Sequence, residues 1–155
     1  MTKRRKPSKP LAIFRVYPAG RYFYAVVNIW PTKKAMYQYK PLQRNHEASC
    51  TGQEVYTYSS KSKWRKTGCF AELNFYKGFL GVGCIAHEMT HAALSWAGRA
   101  RLPISEIVND NPFRASDHVR VRVLPNDGTE ERLCYALGEM VRQFTDRCYK
   151  LGIYK

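Results

Sequence analysis

No stretch of this chain approaches the roughly 18–20 consecutive apolar residues that a membrane-spanning helix requires, and no apolar segment with a small-residue cleavage site follows the basic start "MTKRRKPSKP". The expectation is therefore neither a membrane protein nor a secreted one, but a cytoplasmic protein. Disulfide signals are lacking as well. The five cysteines (Cys50, Cys69, Cys84, Cys134, Cys148) are odd in number and form no C-x-x-C pair; they read as thiols in a reducing compartment, packed as small apolar residues. No internal repeat is present. Acidic residues are scarce, 12 against 26 Lys and Arg, which leaves a net charge of +14. Such a surplus attracts polyanions without defining a specific nucleic-acid contact. Histidines are rarer still, only four in 155 residues, so their placement carries weight.

What is present suffices for one core in one domain: 45 % of the residues are hydrophobic, and 11 Tyr and 7 Phe are among the aromatics. Residues 1–10 hold five of the basic residues beside prolines and read as a disordered tail; residues 11–155 read as a single domain. "LAIFRVY" (11–17) and "RYFYAVVNIW" (21–30), joined by "PAG", predict a β-hairpin. "AMYQYK", "EVYTYSS" and "CFAELNFYK" are further strand candidates, the last two forming a second hairpin with the basic "KSKWRKTG" at its tip. From about Phe79 the period changes. Ile85, Met89, Ala92, Ala93 and Trp96 fit a helix stopped by Gly98. Residues 99–128 are irregular apart from a short strand, "HVRVRVL". A second helix starts near Thr129, capped by Thr129 or Asp127, with Leu133, Leu137, Met140, Val141, Phe144 and Cys148 as its apolar stripe and Gly152 at its end. The fold class is α+β, a sheet followed by two main helices.

The first of these helices contains "HEMTH". Spacing of four puts His87 and His91 one turn apart on the same face, where one divalent ion can bind both imidazoles. Glu88 then lies beside the ion, placed to take a proton from a water the ion activates and pass it to a leaving amine. Zinc suits such ligands and leaves a position for water. A bland alternative is a helix with two partly exposed histidines and a surface glutamate.

The pair needs a third ligand. The extended pattern with a third histidine on the same helix fails, because Leu94 and Ala97 occupy its glycine and histidine positions. His118 in "SDHVRV", Asp127 in "NDGT" and a glutamate in "TEERLCYALG" remain. The last stretch resembles the third-ligand helix of the gluzincins, the thermolysin-like zinc peptidases, and of their compact relatives of the phage and bacterial cytoplasmic type. The resemblance covers about residues 78–98 and 129–144 and does not extend to residues 1–70. It implies a zincin-like fold, with an N-terminal antiparallel or mixed sheet, the H-E-x-x-H helix and a C-terminal ligand-bearing helix. It implies Glu131 as the ligand, with Cys134 and Gly138 at the family's small positions, and Glu130 as the rival. The sequence departs from the larger gluzincins at Tyr135, where an aspartate usually orients the first histidine; the second-shell partner of His87 is left open.

Of the remaining residues, His118 and Tyr135 are candidates for stabilising the oxyanion of a tetrahedral intermediate. Cys84 is on the histidine face but reads as packing, and His46 as a loop residue. The expected function is a zinc metallopeptidase acting on a narrow range of protein or peptide substrates. In zincins an edge strand aligns the peptide, and "CFAELNF" is the candidate by that resemblance. The alternative is a basic nucleic-acid-associated protein with a structural or inactive zinc site, binding through its tail and the Lys61–Lys66 loop, where Trp64 is interleaved with cations.

Overall fold

The first hairpin forms as the alternation predicts. Strands β1 (Ala12–Val16) and β2 (Tyr24–Trp30) pair antiparallel, Ala12 opposite Ile29 and Val16 opposite Ala25. The computed structural model of the protein describes residues 9–39, 47–52, 56–59, 63–102, 104–109, 119–123 and 128–154, with the strands at 56–59, 63–66, 104–109 and 119–123 described by backbone alone. The architecture is α+β, with a four-stranded mixed sheet and three helices among the described residues. No helix among them is long and apolar enough to cross a membrane.

"AMYQYK" is not a strand. Residues Lys33–Tyr39 form helix α1. The Thr32 hydroxyl accepts the backbone N–H of Ala35 (3.2 Å), an N-terminal cap that the sequence supplies just before good helix formers. Ala35 and Met36 bury against Trp30, so tertiary packing and a cap override the tyrosine-rich strand pattern.

The second hairpin also differs from expectation. Strand β4 (Tyr56–Ser59) pairs with β5 (Lys63–Lys66), so most of the supposed basic loop is a strand; Lys61 lies outside the described residues. "CFAELNFY" is strand β6 (Cys69–Tyr76), parallel to β2 on one side and antiparallel to β3 (Ala48–Gly52) on the other. The sheet order is β1-β2-β6-β3. β6 is therefore central and has no open edge to offer a peptide, which corrects the edge-strand assignment; among the described residues β3 is the edge on that side. At the start of β6 the chain passes so close to the β1–β2 hairpin that a Cβ on Gly68 would lie 1.7 Å from the Tyr22 carbonyl oxygen. Residues 99–128 are less irregular than expected, since β7 (Ile104–Asn109) and β8 (Val119–Val123) form an antiparallel pair.

Helix α2 (Val82–Arg99) runs past Gly98. Its end is set by Arg101, at φ 53°, with Leu102 N–H bonded to Ala97 C=O and Arg101 N–H to Gly98 C=O. This is a Schellman ending with arginine in the left-handed position usually taken by glycine. Helix α3 (Thr129–Lys150) ends in the same motif at the predicted glycine: Gly152 has φ 65°, and Ile153 and Gly152 donate to Cys148 and Tyr149 carbonyls. Its N-cap is Gly128 (φ 71°) rather than Thr129 or Asp127; Asp127 lies outside the described residues. Both helices pack on one face of the sheet. Val27, Ile29, Leu73 and Phe75 meet Ile85, Met89 and Met140 in the core, and Phe144 joins Phe14 and Phe75 at ring separations of 5.8 and 5.1 Å.

Candidate metal centre

Five residues, 77–81, connect β6 to α2. Ile85, Met89, Ala92 and Trp96 hold one face of α2 in the core, and that fixes where the others point. At about 100° per residue, Cys84, His87, Glu88, His91 and Ser95 fall in one sector flanking that face. His87 is exposed and His91 half-buried, whereas Glu88 is only 7 % exposed.

The two imidazoles converge. His87 Nε2 and His91 Nε2 are 3.3 Å apart, with ring centroids 4.8 Å apart and planes at 82°. Two nitrogens each about 2.05 Å from a tetrahedral zinc stand about 3.3–3.4 Å apart. The pair thus has the separation of one edge of a zinc coordination tetrahedron. The same distance serves as a long N–H···N bond when one ring carries its proton on Nε2 and the other does not.

Glu88 faces β3. Its neighbours in the same sector locate it: the Ser95 hydroxyl stands 3.0 Å from where a Cβ on Gly52 would be, and Cys84, one turn before Glu88, lies near Glu47 just ahead of β3. Burial raises the Cys84 thiol to about 11, and the nearby Glu88 and Glu47 carboxylates add to the effect. Cys84 is therefore a protonated thiol at neutral pH, in keeping with a packing role. Glu47 is itself held by the Lys33 ammonium and by the Tyr76 hydroxyl, contacts that lower its pKa below the usual carboxylate value. Nothing in the sequence marks that cluster, since it joins α1, β3 and β6 across the fold.

Glu131 is not brought to the histidine pair. Among the described residues, no three His, Cys, Asp or Glu side chains come together as a metal-holding group. The helix sectors explain this. Val82, Ile85, Trp96 and Ala100 line the seam between α2 and α3, while His87 and His91 stand on another side of α2. On α3, the buried residues are Thr129, Ala136, Met140, Phe144 and Cys148; Glu130, Glu131, Cys134, Tyr135 and Gly138 are exposed. Tyr135 is 75 % exposed and beside Arg132 near the far end of that seam, away from the histidines. His118 and His46 lie outside the described residues.

No protein-family profile, curated protein or solved structure matches this chain.

Proposed function

We propose that the chain is a zinc-dependent peptidase in which His87 and His91 supply two of the metal ligands and Glu88 is the general base. One observation carries the reading: the two Nε2 atoms stand 3.3 Å apart beside a carboxylate that is only 7 % exposed. The donor set suits zinc, since neutral imidazoles are ordinary zinc ligands and two on one helical turn need no chain rearrangement to bind together. When bound, zinc acidifies water and polarises the scissile carbonyl. Glu88 would take the proton of the attacking water and pass it to the departing amine. Its orientation toward β3 suits this role, because the outer edge of β3 is where an extended peptide would pair, main chain to main chain.

Glu131 is the third ligand proposed from the gluzincin resemblance. With Glu131 exposed on the first turn of α3, its delivery to His87 and His91 would require that turn to move. Glu130 on the same turn, Asp127 and His118 are the other candidates. The charge surplus of +14 supports a second reading, a polyanion-binding protein whose histidine pair has no catalytic part.

The test is zinc content by elemental analysis on the protein and on Glu88→Gln, His91→Ala and Glu131→Gln, with peptide hydrolysis assayed in parallel. The expected result is about one zinc per chain, lost in His91→Ala, weakened in Glu131→Gln, and kept in Glu88→Gln while hydrolysis disappears. Absence of zinc from the wild-type protein, even after titration at neutral pH, would reject the metal centre and leave the second reading. Full zinc in Glu131→Gln would reassign the third ligand.

A further inference from the structure

At the edge of the sheet remote from β3, β1 borders an open groove of about 480 Å³ whose other wall is the C-terminal half of α3. Gln143 of α3 reaches across one end of it. Its Oε1 accepts the Tyr17 N–H at 2.9 Å, and its Nε2 donates to the Tyr17 C=O at 3.0 Å. A carboxamide thus makes at Tyr17 the paired bonds that a neighbouring strand would make. In an antiparallel strand both main-chain groups of alternate residues point to the same side. With Tyr17 turned toward α3, Arg15 and Ile13 present their N–H and C=O groups to the groove as well. Both residues line it, and among the described residues β1 pairs only with β2.

The groove is cationic. Arg142 is held by Glu139 and Asp146 at 2.6 and 2.8 Å, but Arg147 and Lys150, on the same helix, have no acidic partner among the described residues. On the other face of the sheet edge the Arg15 guanidinium stands 4.1 Å from the centre of the Tyr24 ring, so an added strand would meet Arg147 and Lys150 on one face and Arg15 on the other. Ile13, 63 % exposed, is the apolar contact beside them.

We propose that this groove is a docking site for an acidic protein segment in extended conformation, which adds to β1 as a fifth strand and sets its carboxylates against Arg15, Arg147 and Lys150. The alternating donors and acceptors of Ile13 and Arg15 match the main chain of a peptide, whereas the sugar-phosphate backbone of DNA offers acceptors alone and that of RNA adds only the 2′-hydroxyl as a donor. A second copy of this chain is disfavoured by its own +14 charge. The site is on the opposite sheet edge from Glu88 and does not depend on the metal, so its occupant would serve to recruit a partner whether or not that partner is cleaved.

The probe is a fluorescein-labelled ten-residue peptide of alternating glutamate and threonine, titrated by fluorescence anisotropy onto the full chain at low and physiological salt. The expected result is saturable binding, equal with and without added zinc and weakened at least tenfold by the double substitution Arg147→Glu, Lys150→Glu. N-methylation of alternate peptide bonds in the probe, which needs no protein variant, should abolish binding in one of its two registers. Amide hydrogen exchange should slow at Ile13 and Arg15 on binding. The proposal is overturned by absence of binding, by indifference to N-methylation, by protection at Cys50 and Thr51 of β3 instead, or by a ten-nucleotide single strand binding the same residues as tightly as the peptide.

Discussion

Asn74 shows how a single polar residue can organise a buried face of the sheet. It is fully buried on the side of β6 away from α2. Its Oδ1 accepts from Trp30 Nε1 at 3.0 Å and from Asn28 Nδ2 at 3.2 Å, and its Nδ2 donates to Glu72 Oε1 at 3.1 Å. Replacement by alanine leaves the Trp30 indole N–H without an acceptor and takes one from Asn28, which still reaches Glu72 at 3.3 Å. Leaving buried donors unpaired costs about 1–3 kcal/mol each. Asn74→Ala is therefore expected to lose about 2–4 kcal/mol in urea unfolding, with the denaturant slope unchanged. A loss below about 0.5 kcal/mol would mean that the network is dispensable. Asn28 and Asn74 are visible in the sequence only as polar interruptions of "VVNIW" and "ELNFY". Their meeting is not, because it depends on β2 lying beside β6, 44 to 46 residues away. His87, Glu88 and His91 are the contrary case: a spacing of four is a local property of a helix, so the convergence of the two rings was legible without any tertiary knowledge.

Elements whose pattern is local were legible in the same way. The 22-residue helix α3 carries an unbroken apolar stripe and ends at a glycine that forms its Schellman turn, and the β1–β2 pairing follows from alternation, although the connection spans residues 17–23 rather than "PAG" alone. What failed was pairing and competition. α1 was disguised by its tyrosines, and the place of β6 at the sheet centre follows from a parallel partner that no short-range signal announces. Only part of the candidate site was accessible for the same reason: the histidine pair belongs to one helix, whereas a third ligand requires the relative rotation of two. Along α3 a further local device is testable. Glu139 accepts from Arg142 at 2.6 and 2.9 Å and from Gln143 at 2.7 Å. These bonds, Arg142 first, lower its carboxyl from 4.5 to about 2. A depressed carboxyl stabilises the fold above its unfolded-state value, and that contribution is lost as pH falls through the folded value. Glu139 is 40 % exposed, so solvent screening holds the contribution to about 0.5 kcal/mol. Glu139→Gln is expected to be less stable than wild type at pH 7, with the gap closing between pH 4.5 and about 2. A gap that stays constant across that range would show that the carboxylate charge has no part in it.

At the scale of the whole molecule the dominant electrostatic fact is repulsion. Twenty-six cations face 12 acids, and several of those acids are already committed to local pairs such as Lys33–Glu47 and Arg142–Glu139. Folding gathers the unmatched charge into a smaller volume, so the native state is penalised more than the expanded chain. Added salt acts on both kinds of interaction in opposite senses. It weakens the exposed pairs, each worth a few tenths of a kcal/mol, and it shortens the reach of the long-range repulsion from about 30 Å at 0.01 M ionic strength to about 8 Å at 0.15 M. Pairs in contact are far inside either length, whereas cations scattered over the surface are separated by distances that only the longer one spans. Relief of repulsion should therefore exceed loss of pairing. The expected outcome is a rise in Tm of about 2–4 °C per kcal/mol relieved when sodium chloride is raised from 10 to 150 mM, measured by calorimetry at pH 7. Because the effect belongs to the net charge, replacing exposed lysines remote from any acid by glutamine should raise the low-salt Tm and flatten its salt dependence together. A Tm that falls with salt would place the balance with the local pairs, and the surplus charge would then have to be concentrated in segments that do not compact on folding.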